Sequence, residues 1–167
     1  RGGLTEQHER IGKLGAAELI GKCVEGVDVY EPYKEVCRTA IRYLEAINDK
    51  LEGTPFKIAY RTRNETLLYV VNNLPYNKDK DGNELKQEYV IARALDEITN
   101  MKILSRIEGD ETKVSSKFLE ELDGTIKSGL EAICPTLFTD DGYVSVSSSK
   151  LDEMKQRLAS GYTSFWS

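Results

Sequence analysis

Histidine is almost missing from this sequence. His8 is the single one in 167 residues, so a Ser-His-Asp or Cys-His enzyme would have to be built around it, near one end. Cysteine is scarce too: Cys23, Cys37 and Cys134 form no Cys-x-x-Cys pair, and with one histidine they leave little material for a zinc site. An odd number of scattered thiols fits a reducing, cytoplasmic setting. No apolar run approaches the ~18 residues that a membrane span needs. A basic excess is lacking as well; the net charge of −5 argues against a nucleic-acid coat or a polybasic membrane binder. Nor is there a phosphate loop. Gly12-Lys13-Leu14-Gly15 and Gly21-Lys22-Cys23 lack the spaced upstream glycine and the following Ser/Thr, and no apolar strand ends in Asp-Glu to hold magnesium-bound water. If the chain serves a nucleotide, it does so as a helper and not as the binding core.

Enough apolar material remains for a packed core: 40% of residues are hydrophobic against 31% charged. Helical periodicity organises it into an all-α fold. Tyr33, Val36, Cys37, Ala40, Ile41, Leu44, Ile47 and Leu51 recur at three- and four-residue steps, with Pro32 in the first turn and Gly53 and Pro55 as the stop. Asn64–Asn73 predicts a shorter, well-buried helix. Leu85, Tyr89, Ala92, Leu95, Ile98 and Met101 predict one from about Glu84 to Leu104, and Val114 to Ile133 a third long one, ending at Cys134-Pro135. Ser149 and Asp152 resemble a capping box for a last helix through Leu158. Residues 54–60 read as extended and 75–83 as a polar loop. The turn at Asp141-Gly142, beside Tyr143-Val144-Ser145-Val146, suggests a tiny hairpin. Residues 1–28 carry six glycines and a weak apolar repeat, the pattern of an irregular arm.

Two segments offer chemistry. Asn77, Asp79, Asp81 and Glu88, around Gly82, nearly spell a calcium-binding loop, although position 1 is Asn and the usual apolar position is Glu84. The same residues also read as an Asp-Gly turn followed by acids at a helix N-terminus. The second segment is Ala59-Tyr60-Arg61-Thr62-Arg63-Asn64-Glu65. Arginine opposes the macrodipole at a helix start, so Arg61 or Arg63 there suits an outward reach to an anion. The competing account is a surface Arg61–Glu65 pair worth ~0.3–0.5 kcal/mol. Phe165 and Trp166 either anchor the C-terminal tail on the helices or dock on a neighbouring subunit.

Four segments in order carry a resemblance: the helix Tyr33–Leu51; Phe56-Lys-Ile-Ala-Tyr-Arg61-Thr-Arg63-Asn-Glu65; Ala94-Leu95-Asp96 through Lys102-Ile-Leu-Ser-Arg106-Ile-Glu-Gly109; and Gly161-Tyr-Thr-Ser-Phe-Trp166. Together they resemble the C-terminal part of McrB-type AAA+ NTPases, motor subunits of modification-dependent (5-methylcytosine-specific) restriction systems. Ala59 stands where that family has glycine, and Ser105 where it has proline. The resemblance implies that residues 29–167 are the helical lid subdomain, an AAA+ small-subdomain-like bundle. Residues 1–28 would link it to an upstream nucleotide-binding subdomain, and the Arg1-Gly2-Gly3 start without Met fits a piece of a longer chain. It implies that Arg61, with Arg63 in reserve, is a sensor-2-type arginine on GTP or ATP, with Mg²⁺, in the intact parent. The fragment itself would be non-catalytic. Implied partners are the upstream core, neighbouring subunits of a ring and a nuclease subunit, with DNA reached through the assembly and no membrane. From other classes, a stand-alone helical interaction domain and a calcium-responsive domain on Asn77–Glu88 compete with this reading.

Overall fold

A computed structural model describes residues 33–166. The expected arm at 1–28, with His8 and Cys23, and the first-turn Pro32 lie outside them. Five helices dominate: α1 (Lys34–Leu51), α2 (Tyr60–Asn73), α3 (Gln87–Lys102), α4 (Ser116–Ile133) and α5 (Val146–Arg157). The apolar stripe of α1 lies where its spacing put it: Cys37, Ala40, Leu44, Ile47 and Leu51 are buried, joined by Tyr43, while Tyr33 stays exposed. Gly53, at φ +81°, turns the chain out of the helix, a conformation that strains any other residue.

α3 is the central element. It packs against α2, α4, α5 and, more lightly, α1, while α1 also contacts α2 and α4, and α4 contacts α5. Every residue from Val90 to Asn100 is buried as a result, including Arg93, Asp96 and Glu97. These polar groups are partnered: Tyr69 donates to Glu97 (2.9 Å) and Arg93 to the Tyr76 carbonyl (2.6 Å). Where α1 crosses α4, Gly129 meets the Tyr43 ring so closely that an added Cβ would stand 2.8 Å from a ring carbon. The Tyr43 hydroxyl is bonded to Thr99 (2.8 Å), and burial pushes its pKa upward. Cys37 and Cys134 are buried free thiols.

Several boundaries differ from the sequence expectation. α2 begins at Tyr60, four residues before Asn64. Residues 54–60 are not extended throughout: the Thr54 amide bonds to Leu51, the Phe56 amide to the Thr54 hydroxyl, and Tyr60 is already helical. The last helix is capped by Ser145, whose Oγ accepts from the Ser148 amide (3.0 Å), while Ser149 sits inside the helix and bonds back to the Ser145 carbonyl. No hairpin forms at 143–146. The small sheet instead joins β1 (Glu108–Asp110) to β2 (Tyr162–Ser164), antiparallel, with Gly109 opposite Thr163. It ties the C-terminus to the segment between α3 and α4. Beyond it, Arg157 holds the carbonyls of Ser164 (2.6 Å) and Phe165 (3.2 Å), and Lys150 stands 4.6 Å from the Phe165 ring centre. Phe165 thus anchors the tail, whereas Trp166 lies edge-on to it and remains 75% exposed.

Candidate functional site: the N-terminus of α2

Two contacts with distant elements set the start of α2. The Ile58 amide donates to the side-chain oxygen of Asn48 on α1 (2.9 Å), and Arg106, in the 3-10 turn after α3, donates to the Lys57 carbonyl (3.3 Å). Ala59 then occupies the cap position in an extended conformation (φ −79°, ψ 155°), with no side chain to accept from the first turn, and no acidic residue lies in that turn. The helix begins with its positive end open and two arginines upon it.

Arg61 and Arg63 do not converge. Two positions apart on a helix, they leave on opposite sides. Arg63 lines a groove of about 340 Å³ between α1 and α2, with Leu44, Glu45, Asn48, Ile58 and Tyr60. Tyr60 stands at its rim, 73% exposed. Arg61 shares its face with Glu65, yet the Glu65 carboxylate is engaged elsewhere, 3.3 Å from the Lys102 ammonium at the end of α3. Neither arginine is ion-paired among the described residues. The Arg61–Glu65 pair that would have made this a structural feature is therefore not formed.

The acidic loop is organised around its own backbone. Asp79 accepts from the amides of Asp81 and Asn83 (both 2.9 Å) and from the Asn83 side chain (3.3 Å), and these bonds, the Asn83 amide first, hold its carboxyl below the usual range. The Asn77 carbonyl accepts from Leu85 (2.7 Å), Gly82 takes φ +83°, and Glu88 stands in the first turn of α3. Among the described residues no group of three or more His, Cys, Asp or Glu side chains is arranged to hold a metal ion.

Sequence reasoning missed a second polar centre. Asp96, fully buried on α3, accepts from the Tyr143 hydroxyl (2.6 Å), the Ser145 hydroxyl (2.8 Å) and the amides of Val146 (2.9 Å) and Ser147 (3.2 Å). It is a carboxylate delivered to the N-terminus of α5 from some fifty residues away in the chain. Its chemistry is capping: every acceptor direction is used on protein donors. The signal available in advance was the run of small hydroxyl residues at 145–149, which marks a helix start without naming its partner.

Fold and site define a small helical domain with one two-stranded clasp and an open, cationic helix start. The chain belongs to the family described as a domain of unknown function, DUF8727, whose model matches residues 20–162. Comparison with curated proteins and with solved structures returns no match. No helix among the described residues is long and apolar enough to cross a membrane.

Proposed function

We propose that this chain is the helical lid of a McrB-type AAA+ NTPase and that Arg61 is its sensor-2-type contact to nucleotide. One observation carries the reading: Glu65 is taken by Lys102, which leaves the Arg61 guanidinium without an ion pair among the described residues, at an uncapped helix start. A guanidinium there opposes its own helix dipole, so helix stability does not account for it, whereas a terminal phosphate would satisfy both the fork and the open amides. Nucleotide supplies that phosphate when bound, GTP or ATP with Mg²⁺. The carboxylates for the metal belong, in this reading, to an upstream core and not to this domain. Arg63 faces the other side of α2 and so is the weaker candidate. The lid would move with its core and neighbouring subunits in a cytoplasmic ring that works with a nuclease subunit and reaches DNA through the assembly.

The reading is tested in the gene and in the enzyme. A phosphate loop should be encoded within ~200 residues upstream, about one domain's length. In the whole protein, Arg61→Ala should lower NTP turnover about tenfold or more, ~1.4 kcal/mol of transition-state stabilisation. The 167-residue chain alone should not hydrolyse nucleotide. Unchanged turnover in Arg61→Ala sinks the assignment. Loss in Arg63→Ala alone moves it two residues. A second reading, a helical interaction domain, draws on the exposed Tyr162 and Trp166 beside the β1–β2 clasp, which offer an aromatic edge to a partner.

A further inference from the structure

The surface that carries Arg61 also carries cations from a second segment. The chain around α2 and the end of α3 touch at two places: Arg106 reaches the carbonyl of Lys57, and Lys102 reaches the carboxylate of Glu65. Arg61 falls midway between Lys57 and Glu65 and shares the face of Glu65 by its four-residue spacing. α2 runs antiparallel to α3, with Tyr69 against Glu97 and Glu65 against Lys102, so one turn further back Arg61 comes level with the segment of Arg106. The three cations Arg61, Lys102 and Arg106 are exposed, in a chain whose net charge is −5. Lys57 is neutralised by Glu52 (3.1 Å), and among the described residues Glu65 is the one carboxylate in ion-pair contact with the three. Arg106 spends a single nitrogen on a long bond to the Lys57 carbonyl; its other N–H groups have no partner among the described residues. That bond holds the guanidinium beside the start of α2 while leaving most of its donors open.

The geometry points to a two-arginine phosphate cradle in which Arg106 acts with Arg61 on the terminal phosphate of a nucleoside triphosphate, Lys102 exchanging Glu65 for a phosphate oxygen. This rests on the nucleotide-contact reading of Arg61 and adds to it a binding residue from a different segment. Two planar forks approaching from two elements can each give paired N–H bonds to separate oxygens of one phosphoryl group, which a lone arginine cannot do. Arg61, Lys102 and Arg106 all belong to this chain, and Arg106 is held beside α2 by the Lys57 carbonyl, so the cradle needs no residue from the rest of the assembly.

The test is titration of the 167-residue chain with inorganic triphosphate at low salt, followed by amide chemical shifts. The expected result is saturable shifts at residues 60–62 and 102–106. Arg61→Gln and Arg106→Gln should each weaken binding by on the order of tenfold, Arg63→Gln by less than about twofold. Arg106→Lys, which keeps the charge and loses the fork, should fall between. Glu65→Gln should tighten binding several-fold by removing the competing anion, an effect that a merely structural role for this edge does not produce. If Arg61→Gln loses binding while Arg106→Gln binds as the parent does, the cradle is wrong and the Arg61 reading stands. If triphosphate produces no saturable shift, or shifts only elsewhere, the cradle is overturned, and turnover of Arg61→Ala in the whole protein decides the sensor reading separately. If a short DNA duplex moves the same amides at concentrations where triphosphate does not, the edge binds a nucleic-acid backbone and the proposal fails.

Discussion

At the N-terminus of α5, the Ser145 hydroxyl and the buried Asp96 carboxylate take the amides of Ser148, Val146 and Ser147. At the N-terminus of α2, Ala59 offers nothing and two arginines stand where acids would be favoured. The first start is satisfied from within and closed to any ligand. The second is held by contacts outside the helix, from Asn48 and Arg106, and its own polar groups remain available. The difference separates a helix end shaped by stability from one whose residues ask for another explanation.

The contrast can be pressed from both sides. Removing the internal cap has the largest effect. Asp96→Ala leaves several buried donors without an acceptor and should lower stability by about 3–4 kcal/mol in denaturant unfolding. A loss below about 1 kcal/mol would mean that water replaces the carboxylate and that α5 is not closed in the sense argued. Ser145→Ala should cost about 1–2 kcal/mol, since it deletes the cap and one of Asp96's donors together. Supplying a cap at α2 should work in the opposite direction. Ala59 already has the extended backbone of a cap residue, so Ala59→Ser should stabilise by about 0.5–1 kcal/mol. If it does not, the first-turn amides already have acceptors and the open start is misread. The smallest effect belongs to Arg61→Ala, which should change stability by less than about 0.5 kcal/mol, with any shift towards greater stability. A clear destabilisation would make Arg61 structural and erase the contrast.

The two starts also differ in how far the sequence announced them. Arg61 and Arg63 were visible because their type conflicts with their place, a local fact. That they point apart also follows from two-residue spacing, once the helix is known to begin at Tyr60. Asp96 was invisible because it sits in a helical repeat like any other polar residue, and its meaning depends on what α5 brings to it. The same holds for Glu65. Four-residue spacing proposes Arg61 as its partner, and the packing of α3 on α2 supplies Lys102 instead.

The sequence by itself determined the helical class, the stripes of α1 and α4 and the stop at Gly53, because periodicity and glycine stereochemistry act over a few neighbouring residues. The tertiary structure decided where α2 and α5 begin, that residues 108–110 pair with 162–164 in place of a local hairpin, and which carboxylate meets which cation. Those outcomes turn on acceptors contributed from far along the chain, such as Asn48 for Ile58 and Asp96 for Val146. A hydrogen bond of that kind is fixed by how helices pack, and no spacing in the sequence records it.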